Sequence, residues 1–274
     1  MRVAAIQVRA GEDRAENIAT TAALVDEAAT AGASLVVLPE LFAVPFVGGT
    51  PDPEYFALAE PLDGPSNTMA AEKAREHGIT VVSSVFEAAS TPGVYHNTSC
   101  TYVGGELRQT YRKSHLPFSN SFPEKFYFRP GQEAPSAIDA QGTRIGTIIC
   151  YERHYPELAR QVALAGATVL CVPIAAASGA MREVFHLELR AHAVSNGFFV
   201  VAPNRIGDEN GKVYFGGSAI YGPDGDELAM AKDHGEGEVV IADADLDRVA
   251  RTRRTRPFLR DRRPELYPAV TEQH

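Results

Sequence analysis

The chain reads as an α/β fold: a mixed sheet or a pair of sheets with helices outside. Three observations predict this. Apolar runs of strand length alternate with segments of helical period from one end to the other. Two turn signals mark antiparallel hairpins set into that alternation. No repeat or low-complexity linker divides the 274 residues, so a single domain over 1–274 is expected. Apolar residues make up 45%, which excludes a disordered chain.

The elements follow in order. Val3 to Val8 is a buried strand, and Gly11 to Arg14 a turn. Ile18, Ala22, Val25 and Ala29 then recur at helical spacing until Gly32 stops the helix. Ser34 to Leu38 is a second strand, ended by Pro39. Residues 43–65 hold five prolines and read as a loop. A helix spans roughly Ser66 to His77, closed by Gly78, and Ile79 to Phe86 is a strand. Tyr95 to Val103 and Glu106 to Tyr111 flank Gly104-Gly105, a hairpin signal. Residues 114–137 form another long loop, rich in proline and aromatics. Thr143 to Ile149 is a strand. Pro156 suits a first helical turn, with Leu158, Val162 and Ala165 on one face. Thr168 to Val172 is a strand. Val184, Leu187, Ala191 and Val194 mark a helix ending near Gly197, and Phe198 to Ala202 is the next strand. Ser218 to Tyr221 and Glu227 to Met230 flank a turn at Pro223-Asp224-Gly225-Asp226. Glu238 to Ala242 is the last strand, with a short helix from about Asp245. Both long loops exceed what a connection needs, which points to function there.

Charge and cysteine usage narrow the partners. The net charge of −9 argues against a nucleic-acid or anionic-membrane partner. Three cysteines make no disulfide framework and suit a reducing cytoplasm. The start of the chain lacks a signal-peptide pattern, and the most apolar internal stretch, 165–177, is too short to span a bilayer, which takes about 20 residues. The segment from Arg248 to Arg263 holds eight arginines. It reads as an extension clamped on acidic surface, its own or a second subunit's.

Cys150 is the leading chemical candidate. It ends the apolar run IGTIIC and precedes a helix whose positive N-terminal end favours thiolate. A small buried hydrophobe is the competing reading, and it suits Cys100 and Cys171 better, since both lie inside strands. A thiol nucleophile needs a base and an oxyanion stabiliser. Glu40 follows a strand at Leu38-Pro39, and Lys113 ends another before Ser114-His115-Leu116-Pro117. Each alone reads as an ordinary strand-end charge. Together they place three chemical groups at strand ends beside proline-bearing loops, where α/β sheets build sites.

LVVLPE at 35–40, YRKSHLP at 111–117 and IICYERHYPE at 148–157 resemble, in the right order, the three signature segments of the carbon–nitrogen hydrolase (nitrilase) superfamily. The resemblance runs from VAAIQV at the start to RDRRPELY near the end. It implies a four-layer α-β-β-α sandwich, a Glu–Lys–Cys triad at Glu40, Lys113 and Cys150, a second acid at Glu124, and a homo-oligomer. In that chemistry Glu40 takes the thiol proton, and the thiolate attacks a carbonyl or nitrile carbon. Lys113 and the Tyr151 backbone N–H stabilise the oxyanion, and water hydrolyses the thioester. No metal or other cofactor is implied.

The segment around Cys150 is most similar to the branch that hydrolyses N-carbamoyl amino acids, in which an arginine follows the nucleophile at the offset of Arg153. The expected substrate is therefore a small ureido acid, giving ammonia, carbon dioxide and an amino acid, with Arg153 pairing its carboxylate. On this reading Arg153 also disfavours a cationic polyamine tail. His154 stands beside the motif as a further candidate lining residue. Ile174-Ala175 and Phe118 stand where relatives commonly carry polar residues. They make the pocket more apolar and keep a small aliphatic or aryl amide open as the alternative, with an inert scaffold of the same fold as another. Glu188, His192 and nearby His186 suggest either a metal pair or, on the better account, a helix ion pair facing a loop.

Overall fold

The computed structural model describes residues 1–46, 51–119, 122–177, 179–209, 211–232, 235, 237–270 and 272. The chain runs β1 (Arg2–Val8), α1 (Arg14–Thr30), β2 (Leu35–Val37), α2 (Pro65–His77), β3 (Thr80–Ala88), β4 (Tyr95–Val103), β5 (Glu106–Arg112) and α3 (Glu124–Tyr127). It continues through β6 (Ala137–Ala140), β7 (Thr143–Thr147), α4 (Pro156–Leu164), β8 (Val169–Cys171), α5 (Arg182–Asn196) and β9 (Phe199–Ala202). It then forms β10 (Ile206–Glu209), β11 (Lys212–Phe215), β12 (Ala219–Tyr221), β13 (Glu227–Met230), β14 (Gly237–Asp243) and α6 (Leu246–Thr255). Local chemistry sets the boundaries. The Asp13 carboxylate accepts from the N–H groups of Ala15 and Glu16 to start α1, and Gly78 at φ 64° closes α2.

Two six-stranded sheets result, ordered β14-β1-β2-β3-β4-β5 and β13-β12-β9-β8-β7-β6. Each has three parallel strands at its centre and antiparallel strands on both sides. Strand alternation then builds the layers. Val3, Ala5, Leu35 and Val37 face Val169, Cys171, Phe199 and Val201 between the sheets. The alternate residues Ala4, Ile6, Val36 and Leu38 pack under α1 and α2, and Leu170, Val172 and Val200 under α4 and α5. Each fully buried Val, Leu, Ile or Phe among these contributes roughly 1.5–3 kcal/mol. The outcome is the expected four-layer α-β-β-α sandwich.

The differences from the sequence reading have local causes. β6 and the ribbon β10–β11 went unread because four-residue segments carry too little period. The loop at 43–65 contains a 3-10 turn at Pro53–Leu58, and the loop at 114–137 contains α3. Residues 47–50 and 120–121 of these loops lie outside the described residues. On α5 the buried face is Phe185, Leu189, His192, Ala193 and Asn196, while Leu187 is 67% exposed. An offset of one residue keeps the helical period, and polar His192 and Asn196 are tolerated inside because each is hydrogen bonded. The arginines after 248 clamp largely on the chain's own surface. Arg248 bridges Asp224 and Asp226, Arg256 pairs with Asp224, and Arg253 donates to the carbonyls of Ala167 and Asn196. Among the described residues no helix is long and apolar enough to cross a membrane.

Candidate active site

Strand direction explains why distant residues meet. β5 is two antiparallel steps from β3, so it runs the same way as β2 and β3. Glu40, after β2, and Lys113, after β5, therefore emerge at one sheet edge. Lys113 Nζ lies 2.7 Å from Glu40 Oε1 and 2.9 and 2.8 Å from the two Glu124 oxygens. All three side chains are buried. Asn97 Nδ2 donates to the same Glu40 oxygen at 2.7 Å. Glu40 Oε2 is buried with no hydrogen bond among the described residues. Burial alone would lower Lys113, but Glu124 and Glu40 outweigh it and hold the ammonium charged. Burial pushes Glu124 up to about 7, with Lys113 opposing and Glu40 adding to the rise.

Cys150 follows β7 in the other sheet and begins a short 3-10 turn, Cys150–His154. Its φ is 45°, a conformation that costs of order 1–3 kcal/mol for a residue with a side chain. Its N–H donates to Pro173 O at 2.9 Å, which pins the elbow. The expectation that a helix end favours thiolate is corrected here. Burial pushes the thiol up to about 12, Glu40 adds to this, and the cations Lys113 and Arg153 only moderate it. A thiol at this position needs a base before it can attack as thiolate. Cys100 and Cys171 are buried inside strands.

Residues the sequence reading passed over hold this arrangement. Glu152 is fully buried. Its Oε1 accepts from Tyr111 Oη, Ser114 N and Ser114 Oγ, each at 2.7 Å, and from His115 N at 3.3 Å. Its Oε2 accepts from Ile149 N at 2.8 Å. One carboxylate thus ties the segment after Lys113 to the residue before Cys150. Arg205, also fully buried, donates to the carbonyls of Glu40, Leu41 and Val44 and pairs with Glu209. Gly131 donates to Lys113 O at 2.9 Å, and a Cβ there would come 2.1 Å from Arg112 O, so only glycine lets the loop pass. The available signals were a polar Asn97 mid-strand and the charged Glu152 and Arg205 shortly after the apolar runs that end at Cys150 and Ala202.

A cavity of about 330 Å³ opens over the site. Cys150, Glu124, Tyr151, Arg153, His154 and Ala175 line it, together with Phe118, Phe122, Met181, Phe185 and Phe215. Ile174 is not among the lining residues. Its side chain packs in the core and its carbonyl accepts from Glu40 N at 3.3 Å, because adjacent residues of an extended segment face opposite ways. Ser178 of that segment and Asn120 after Phe118 lie outside the described residues. Arg153 Nη1 donates to Cys150 O at 3.1 Å and lies 4.0 Å from Sγ. Its Nε lies 3.1 Å from Glu188 Oε2, and its guanidinium stands 5.6 Å from the Phe185 ring centre. Glu188 therefore offsets part of the Arg153 charge expected to disfavour a cationic tail. His154 Nδ1 donates to Glu188 Oε1 at 2.6 Å. His192 Nε2 donates to Arg153 O at 2.7 Å, and His186 Nδ1 contacts Tyr221 Oη, so these groups form neither a metal set nor the expected Glu188–His192 pair. His115 stacks on Tyr155, 4.0 Å between centres, away from the lining residues.

The family model for carbon–nitrogen hydrolases matches residues 2–254. The chain belongs to the carbon–nitrogen hydrolase family. It is similar to an N-carbamoylputrescine amidase of Oryza sativa subsp. japonica, 34% identical over 98% of this chain and 93% of that protein. It is also similar to a citrullinase of Francisella tularensis subsp. tularensis, 29% identical over 100% and 99%. The crystal structure of a carbon–nitrogen hydrolase from Helicobacter pylori G27 superposes with a TM-score of 0.93 at 30% identity, covering 100% of this chain and 98% of that one. Membership makes the chain an amidohydrolase of carbon–nitrogen bonds.

Proposed function

We propose that Cys150 is the nucleophile, Glu40 the general base, Lys113 the oxyanion stabiliser and Glu124 the group that keeps Lys113 charged, acting on the terminal carbamoyl group of a small ureido acid. The supporting observation is the buried Glu40–Lys113–Glu124 cluster, whose Glu124 lines one cavity with Cys150 and Arg153 and whose Glu40 and Lys113 act electrostatically on the Cys150 thiol. Glu40 Oε2 takes the proton from Sγ as sulfur attacks the carbamoyl carbon. Negative charge develops on the carbonyl oxygen, against Lys113 Nζ and the Tyr151 N–H. Glu40 returns the proton to the leaving nitrogen and the C–N bond breaks. Water, deprotonated by Glu40, then releases the carbonyl from sulfur, and the carbamic acid formed loses carbon dioxide. Arg153, which lines the same cavity, is the group we assign to the substrate carboxylate. The names of the relatives, an N-carbamoylputrescine amidase and a citrullinase, support a ureido group at the reacting end. We further read the protein as a cytoplasmic homo-oligomer of one-domain chains, with a small-molecule substrate and no nucleic-acid or membrane partner. Three free cysteines and the −9 charge support this.

A second reading, a small-amide hydrolase, is favoured by the aromatic wall of Phe118, Phe122, Phe185 and Phe215. Ammonia release from N-carbamoyl-β-alanine, citrulline, N-carbamoylputrescine, butyramide and a nitrile tests both. Turnover of ureido compounds at least tenfold above butyramide is expected. Faster butyramide turnover supports the second reading and overturns the first, as does hydrolysis that survives Cys150→Ala.

A further inference from the structure

Arg153 lines the cavity beside Cys150, and Glu188 backs it from behind the lining residues. Arg153 comes from the turn after Cys150, and Glu188 from the middle of α5. Arg153 is almost wholly buried, and Glu188 keeps 23% of its side chain exposed. Their closest atoms, Nε and Oε2, are 3.1 Å apart, yet neither makes a hydrogen bond of good geometry among the described residues. Glu188's other oxygen is taken by His154, which also lines the cavity. Burial would raise Glu188, but His154 and Arg153 hold its carboxylate below the ordinary range, so it stays charged. The wall therefore presents Arg153 with its charge offset from behind by Glu188 and its Nε without a well-aligned hydrogen bond. Buried polar atoms left short of a partner favour a ligand that supplies one.

We infer that Glu188 is a positioning residue that sets tail preference through Arg153: by offsetting the Arg153 charge it tempers the preference for the anionic tail of a ureido acid and lets net-neutral tails compete. This rests on the cavity being the carbamoyl site proposed above. An anionic tail must compete with Glu188 for Arg153, and a cationic tail meets an Arg153 whose charge Glu188 partly offsets.

The test compares kcat/KM for N-carbamoyl-β-alanine (anionic tail), N-propylurea (neutral tail) and N-carbamoylputrescine (cationic tail) in the wild type, Glu188→Gln, Glu188→Asp and Arg153→Gln. Glu188→Gln should raise the anionic-to-neutral ratio about tenfold and lower the cationic-to-neutral ratio by a similar factor, the expected scale for one unmasked charge at close range. Arg153→Gln should move both ratios the opposite way, and Glu188→Asp should restore the wild-type order. Parallel loss for all three tails in Glu188→Gln, or a shift of the opposite sign, overturns the inference. If no urea is turned over, the carbamoyl reading fails by itself. The same ratios are then read on succinamate, butyramide and 4-aminobutyramide, where the same shifts uphold the role of Glu188 and their absence defeats it.

Discussion

Removing the Glu152 carboxylate should unsettle both halves of the site at once. Its two oxygens accept five hydrogen bonds, three of them from backbone N–H groups of Ser114, His115 and Ile149. Burial alone would raise this acid, but the donors from His115, Ser114, Ile149 and Tyr111 win and hold it below the ordinary range. Each hydrogen bond to a charged group contributes roughly 1.5–3 kcal/mol, offset in part by the cost of burying the charge. Deleting one member of such a buried network typically costs about 3–5 kcal/mol. For a chain of this size that is a fall in Tm of about 10 °C, at about 2–4 °C per kcal/mol. Ser114 adjoins Lys113 and Ile149 adjoins Cys150, so turnover should also fall, by about a hundredfold for a displacement near 1 Å. The assay is thermal denaturation of Glu152→Ala and Glu152→Gln, with kcat measured well below both transitions. An Ala variant melting within about 2 °C of wild type with full turnover would refute the reasoning.

Three further outcomes follow. Lys113→Met leaves two buried carboxylates facing each other, which should cost about 3–5 kcal/mol and abolish ammonia release; a stable, active variant contradicts the role given to Lys113. Cys150→Ala removes one small buried group, so turnover should vanish while the urea midpoint changes by no more than about 1 kcal/mol of stability. Glu124 is pushed up to about 7 in the folded chain from an ordinary 4.5, so the folded state binds more protons between those values. Its contribution to stability is complete below pH 4.5 and is lost as pH rises through about 7. Urea denaturation should show the stability of wild type falling relative to Glu124→Gln across that window and levelling above it; a rising difference reverses the assignment.

The fold was largely legible because its central strands are continuous apolar runs. VAAIQV and SLVVL can only be buried on both faces, which demands layers on either side. Glu40, Lys113 and Cys150 were legible as strand-end residues beside proline loops and through their signature segments. What stayed hidden depends on partners distant in sequence. Nothing local in CYERHYPE says that Glu152 bonds to Ser114 while Arg153 meets Glu188. The thiol was misjudged because a helix end is visible in sequence, whereas the burial that overrides it is not. Ile174 and Ala175 were read as a pair, yet an extended backbone sends one side chain to the core and leaves the other on the cavity.

The proposed chemistry requires a covalent bond to one sulfur. Rapid-quench intact-mass analysis during turnover of N-carbamoyl-β-alanine, followed by peptide mapping, observes it directly. An adduct of carbamoyl or N-substituted carbamoyl mass on Cys150, lost on hydrolysis and absent from Cys150→Ala, is the predicted result. Full turnover by Cys150→Ala, or an adduct carried by another residue, would contradict it.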